Sequence, residues 1–449
     1  MKKSKVFAFA GVTLLAATFL AACSGSKDSK SASKKDTTYG YVYTDDPTTL
    51  DYTVSSKASV HDITTNGVDG LLENDKYGNL VPSIAEDWSV SKDGLTYTYK
   101  IRKGVKWYDA DGEEHGEVTA HDFVTGLKHA ADKKSESLPL VKDSIKGLKD
   151  YSEGKISDFS EVGVKAIDDY TLEYTLNQPE TFWNSKTTNG VLFPISTEFL
   201  KSKGDEFGQP GNVKSILFNG PFLLKSITSK SEITFEKNED YWDKDNVHID
   251  KIKLSYYDGS DQDSIARGFS DGSYTKARLY PASSNFASVE EKYKDNIYNT
   301  QPSAGVAVFG FNIDRQAYNH TSKTSDDQKS STKKAILNKN FRQAITFALN
   351  RENYSAQVNG KDYAKAAIRN MYTAPAFVQV NGKDFGDVVA DKLQTYGDQW
   401  SGVNLADGQN GLYSKEKAKA QFEKAKAELQ KDGVQFPIHL DVPVAQNST

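Results

Sequence analysis

Cysteine is almost missing from this chain. Its 449 residues contain one, Cys23, so no disulfide can form within the molecule. Methionine occurs twice and histidine seven times, which leaves few ligands for a haem or a soft metal. His115, His121 and His129 are the nearest histidines, but spacings of six and eight do not place two imidazoles on one helix face. Asp109, Asp111 and Glu113 alternate like the start of a calcium loop. Gly112 falls at the wrong position for an EF-hand, so the stretch reads as a hairpin turn. There is no Gly-x-Ser-x-Gly and no Walker loop. Nothing in these patterns calls for catalysis, a cofactor or a metal. Positive charge is also in deficit: the formal net charge is −5, a poor basis for binding nucleic acid.

Long apolar runs are confined to the start. Lys2, Lys3 and Lys5 precede an apolar stretch from Val6 to Leu20, the pattern of a signal peptide over 1–22. Its loss takes the formal charge from −5 to −8. The run ends Leu20-Ala21-Ala22-Cys23, which matches the bacterial lipoprotein box, with a diacylglycerol on the Cys23 thiol. Two acyl chains anchor stably, since each buried methylene contributes about 0.8 kcal/mol. Residues 23–38 are rich in Ser, Lys and Asp and lack apolar periodicity, so they read as a flexible tether.

Apolar residues make up 37% of the chain and aromatics 11%, enough for sizeable cores and much flat contact surface. The stretch 85–131 is the most informative. Trp88 and Val90 alternate with Ser89, and Asp93-Gly94 is a hairpin signal. Leu95, Tyr97, Tyr99 and Ile101 then share one face of a return strand. Thr119 precedes Asp122 by three, a capping-box spacing, ahead of the stripe Phe123, Val124, Leu127 and Ala131.

Elsewhere, 39–42 reads as a strand, and 55–59 leads into a helix carrying Val68, Leu71 and Leu72. Residues 164–176 form a hairpin turning at Asp168-Asp169. Phe193-Pro194 and Asn219-Gly220-Pro221-Phe222 are breakers expected to lead into strands, and 251–257 alternates cleanly. The apolar run 305–312 suits a strand buried on both faces. The polar insert 320–334 is expected to be mobile. Phe341, Ala344, Ile345, Ala348 and Leu349 predict a helix face capped by Asn340. A second helix is expected over 415–429, ended by Gly433. Ile438, Leu440, Val442 and Val444 alternate as a strand.

Trp88 with Asp93-Gly94, Ile101-Arg102-Lys103-Gly104-Val105-Lys106-Trp107 and Val118-Thr119-Ala120-His121-Asp122-Phe123 together resemble the signature of the family-5 solute-binding proteins. These are oligopeptide and dipeptide receptors of bacterial ABC importers, and the chain resembles their streptococcal Ami/Ali type. Asn219-Gly220-Pro221-Phe222, Asn238-x-x-Tyr241-Trp242 and the Phe341-Arg342 to Arg351 helix resemble further family elements. The resemblance implies an α/β fold of the periplasmic-binding-protein type II, with two lobes and an extra α/β subdomain in the first. Lobe I would comprise 39–68 and 194–304, the subdomain 69–193, and lobe II 305–449. Family members continue beyond such a point, so the second lobe is expected to be truncated.

The implied function is capture of oligopeptides through their backbone and delivery to ABC permease subunits. The implied protein is a monomer, lipid-anchored on the outer face of the cell membrane. Ser56, Lys57 and Ala58, with Gly305, Val306, Phe311 and Asn312, would meet the peptide. The family's anchor for the peptide amino group has no counterpart before residue 449, so weak or no binding is expected of this chain. Another solute such as an oligosaccharide remains an alternative, as does an adhesin or signalling lipoprotein. Exchange of Cys23→Ser is expected to abolish incorporation of labelled palmitate and move the protein from the membrane fraction to the medium. Unchanged fractionation would refute the anchor.

Overall fold

The computed structural model describes residues 37–281, 283–298, 305–375 and 377–443. The leader, Cys23 and the tether up to residue 36 lie outside the described residues. Thr38, assigned to the tether from sequence, instead opens the first strand, Thr38–Tyr43. That strand is held parallel to Lys251–Tyr256, with Tyr39 opposite Ile252 and Tyr41 opposite Leu254. Glu232–Lys237 and Phe222–Thr228 complete a four-stranded sheet in antiparallel order. Its core gathers Leu50, Ile63, Phe218, Leu224, Phe235 and Ile252.

A second four-stranded sheet runs Ala85–Val90, Thr96–Ile101, Thr171–Thr175, Val164–Asp168, all antiparallel. Gly94, at φ 72°, makes the first hairpin turn, and Asp93 Oδ1 accepts the Leu95 N–H. Tyr97, Tyr99, Ile101, Leu172 and Tyr174 point into one core, as their alternation predicts. The helix Ala120–Asp132 closes that core with Phe123, Leu127 and Ala130. Its cap depends on Asp122, whose Oδ2 accepts both the Thr119 N–H and the Trp107 indole N–H at 3.1 Å.

The two sheets are joined where Gly67 and Gly220 cross. A Cβ on Gly220 would sit 2.8 Å from the Gly67 carbonyl carbon, so this contact requires glycine. The Asn219 and Gly220 N–H groups both donate to the Gly67 carbonyl. Asn238 ties in Pro221 and Gly220, and the Tyr241 hydroxyl donates to Asp69 Oδ2 at 2.7 Å. The Arg102 guanidinium lies 4.0 Å over the Trp242 ring. Thus the Asn-Gly-Pro and Asn-x-x-Tyr-Trp elements meet at one joint.

Beyond residue 305 the described chain is helical: Asp326–Leu337, Lys339–Ala348, Arg351–Asn359, Phe385–Leu393 and Lys415–Lys431. Phe341, Ala425 and Leu429 form one small core, and Phe347, Val403 and Leu405 another. Among the described residues here, the only strands are the two-residue pair Gln379–Val380 and Lys383–Asp384.

Several expectations need correction. The helix begun at Ala58 stops at Thr64, because Asn66-Gly67 breaks it. Val68, Leu71 and Leu72 are buried in extended chain instead. Phe193-Pro194 leads into the helix Thr197–Lys203, because Ser196 Oγ caps the Phe199 N–H. The cap of Lys339–Ala348 is Asn338, whose Oδ1 accepts the Phe341 N–H at 2.9 Å. Asn340 lies inside the helix and binds Glu428. Ala348 is exposed and Phe347 takes its place in the core. The insert 320–334 is part helix rather than a loose loop, and its Lys323 is buried.

Residues 305–312 form no strand and are mostly exposed, with Val308 at 56% and Phe309 at 63%. Ile438, Leu440 and Val442 are likewise not in a strand, and Val444 lies outside the described residues. A strand exists only beside a hydrogen-bonded neighbour, and no described residue supplies one to either segment.

Burial pushes the Asp69 carboxyl up to about 7, although the Tyr241 bond opposes this. Its folded value stands above the usual carboxylate value near 4, so the proton is taken up on folding. The resulting stability is full below that usual value and is lost as pH rises to about 7. Exchange of Asp69→Asn should remove this loss. Urea midpoints at pH 4.5 and 7.5 should then differ less in the variant than in the parent, and an equal difference would refute the assignment.

Candidate functional site

A cavity of about 840 Å³ opens in the helical part, within the size range of small-ligand sites. One wall is the extended segment 306–312, followed along the chain by Arg315 and Tyr318. Leu440, Asp441 and Val442 line another part, and Leu349, Arg351, Arg369 and Asn370 a third. No backbone-to-backbone hydrogen bond is made by residues 306–311 among the described residues. The wall therefore offers apolar side chains together with N–H and C=O groups that meet no other backbone group among the described residues.

The charges are lopsided. Arg315, Lys323, Lys333, Arg351 and Arg369 line the cavity against one carboxylate, Asp441. Asp441 gathers Lys323 Nζ at 2.6 Å, Arg315 Nη1 at 2.5 Å and the Thr321 hydroxyl at 2.7 Å. The Ser322 N–H and hydroxyl also donate to it, each at 3.0 Å. The Lys323 ammonium, then these donors, hold the Asp441 carboxyl well below the usual range. The Lys323 side chain is 1% exposed, so Asp441 is what makes its burial tolerable. Burial lowers the Arg351 value, and no carboxylate counters it among the described residues.

Of the residues expected to meet ligand, Val306, Phe311 and Asn312 line this cavity, and Gly305 lies just before it. Ser56, Lys57 and Ala58 take no part in its lining. The Ser56 N–H and hydroxyl donate to Glu136 Oε2 at 2.9 and 3.0 Å, which holds the Glu136 carboxyl below its usual range. The Lys57 N–H donates to Ser55 Oγ, and Ala58 begins the helix. Cys23 lies outside the described residues. His115, His121 and His129 each face a different carboxylate: Asp109, Asp169 and Asp51.

Lys323, Arg369, Asn370 and Asp441 escaped the sequence reading. Only Asp441 carries a signal, a lone carboxylate inside the apolar alternation Ile438, Leu440, Val442. Lys323 sits in a polar stretch where nothing marks it for burial.

The fold is that of the type II periplasmic-binding-protein class. A solved structure of the pheromone receptor PrgZ, described with its mode of peptide binding, matches 88% of this chain and 69% of its own, with a TM-score of 0.66 and 25% identity. The chain belongs to the bacterial extracellular solute-binding proteins of family 5, whose middle region matches residues 79–448. It is 63% identical over 448 residues to the oligopeptide-binding protein AmiA of Streptococcus pneumoniae. It is 61% identical over 449 residues to the oligopeptide-binding protein AliA of the same organism. Each match takes in 100% of this chain and 68% of the relative. No helix among the described residues is long and apolar enough to cross a membrane.

Stability linked to Asp441 is present above its usual pKa near 4 and is lost as pH falls below it. Asp441→Asn should therefore lower the melting temperature at pH 7 by leaving Lys323 buried without a counter-charge, and the deficit should shrink towards pH 3. Calorimetric melting at both pH values checks this; coincident melts at pH 7 would refute it.

Proposed function

We propose that this chain is a lipid-anchored receptor, acting as a monomer at the outer face of the cell membrane. It captures oligopeptides through their backbone and passes them to an ABC importer without transforming them. We further propose that 39–68 with 194–304 act as lobe I, 69–193 as its subdomain and 305–449 as lobe II. The distinct buried clusters of these regions support the division. Ser56, Lys57 and Ala58 would serve lobe I, and Gly305, Val306, Phe311 and Asn312 lobe II.

One observation carries the reading: an apolar segment outside any strand, whose backbone meets no other backbone group among the described residues, lines the cavity. A receptor for many peptide sequences must bind what all peptides share. Main-chain pairing along an added strand supplies affinity without reading side chains. Wet pockets then accept varied side chains, because water completes unused hydrogen bonds. The names of AmiA and AliA, both oligopeptide-binding proteins, point the same way. Closure of two lobes would let a permease distinguish loaded from empty receptor.

Isothermal calorimetry with peptide pools at millimolar concentration, within reach of the weak binding expected of this chain, tests this on residues 23–449 beside AmiA. Peptides and their scrambled versions should bind within about tenfold of each other, or about 1.4 kcal/mol. Binding of oligosaccharide but of no peptide by this chain would overturn the proposal.

A further inference from the structure

The chain passes from buried to exposed between Ser55 and Ser56, and Ser56, Lys57 and Ala58 are all exposed. This stretch is held from one side by the chain that leaves the helix Ala120–Asp132. Lys134, just past the helix, stands at φ 55°, in the left-handed region that a residue with a Cβ seldom enters. The reversal sets 135–137 beside 53–56. Ser135 Oγ donates to the Thr53 carbonyl at 2.7 Å, and the Glu136 N–H donates to the Val54 carbonyl at 2.9 Å. His61 Nε2 meets the Ser55 carbonyl at 2.9 Å. Asp51 Oδ1 accepts the Thr53 hydroxyl at 2.8 Å, while its Oδ2 meets His129 Nε2 at 2.7 Å.

None of these bonds uses the Glu136 side chain. Its Oε2 instead reaches the exposed end of the stretch and accepts the Ser56 N–H at 2.9 Å and the Ser56 hydroxyl at 3.0 Å. Its side chain makes no other hydrogen bond among the described residues. Ser135 and Ser137 on either side are buried, whereas Glu136 is exposed. The carboxylate can therefore leave without loosening the anchorage of 53–56. Lys57 next to it is extended, at φ −78° and ψ 133°. An exposed N–H beside extended backbone is what a guest main chain pairs with, and here the protein's own side chain already pairs with it. The Ser56 N–H, then its hydroxyl, hold the Glu136 carboxyl below its usual range. At neutral pH it is an anion, and an ionised acceptor holds a donor more strongly than a neutral carbonyl does.

The geometry points to Glu136 as a resident competitor at the peptide site: its carboxylate holds the Ser56 donors until a main-chain carbonyl of the guest displaces it. This rests on the peptide reading above and names a residue that sets affinity there. A guest finds Ser56 free only in the fraction of molecules whose carboxylate is away, and apparent affinity falls with that fraction.

The test uses residues 23–449 labelled with ¹⁵N-serine and ¹⁵N-phenylalanine, and N-acetyl-tetraalanine amide at millimolar concentration. This probe carries no charge, so loss of the carboxylate alters no long-range attraction. The peptide should shift the Ser56 N–H resonance. Glu136→Ala should bind it at least about threefold tighter than the parent, with Glu136→Gln, a neutral acceptor, in between. Both variants should melt within about 2 °C of the parent, because the other bonds of the segment remain.

Binding by Glu136→Ala no tighter than the parent's would overturn the competitor role and leave the peptide reading intact. Peptide shifts at Phe311 without one at Ser56 would do the same. A larger fall in melting temperature would make Glu136 a strut of the segment and overturn the role likewise. Absence of any shift in parent and variants alike would overturn both readings.

Discussion

A backbone N–H or C=O removed from water has to find a partner, and this requirement shapes the molecule from end to end. Among the described residues up to 298 it is met largely by two four-stranded sheets, whose alternating side chains also build the two large cores. In the region after residue 305 it is met mainly by helices. The segment 306–311 is the exception: it lines a cavity wall and, among the described residues, makes no hydrogen bond to another backbone group.

The joint at Gly67 and Gly220 is the second organising feature. Two main chains approach there more closely than any Cβ would allow, and hydrogen bonds from Asn219, Gly220 and Asn238 use the space. Tyr241 extends the same joint to Asp69, the point where the chain leaves the first sheet for the second. The short motifs that mark the family in sequence are therefore contacts between distant segments: Asp69 and Tyr241 are 172 residues apart. They report on how the two sheets are joined.

Charge follows another logic. The chain as a whole is acidic, yet the charged side chains that line its cavity are mostly cations. Asp441 can hold Lys323 and Arg315 because the segments around 321 and 441 come together. No local pattern announces that pairing, since the partners lie 118 and 126 residues apart. Lys323 in particular looks like a solvated residue of a polar insert and is buried instead.

Local chemistry was legible without coordinates. Asp93-Gly94 turns a hairpin, Thr119 and Asp122 close a capping box, and Tyr97, Tyr99 and Ile101 face inward, because each depends on neighbours a few residues away. The family, too, was readable from short motifs. Sequence alone misjudged two local choices, the end of the 58–64 helix before Asn66-Gly67 and the cap at Asn338, and one that distant segments decide, the failure of 305–312 to form a strand. An apolar run states that a segment avoids water. Whether it becomes a strand, and which cations surround it, depends on which other segments reach it, and only the tertiary structure determines that.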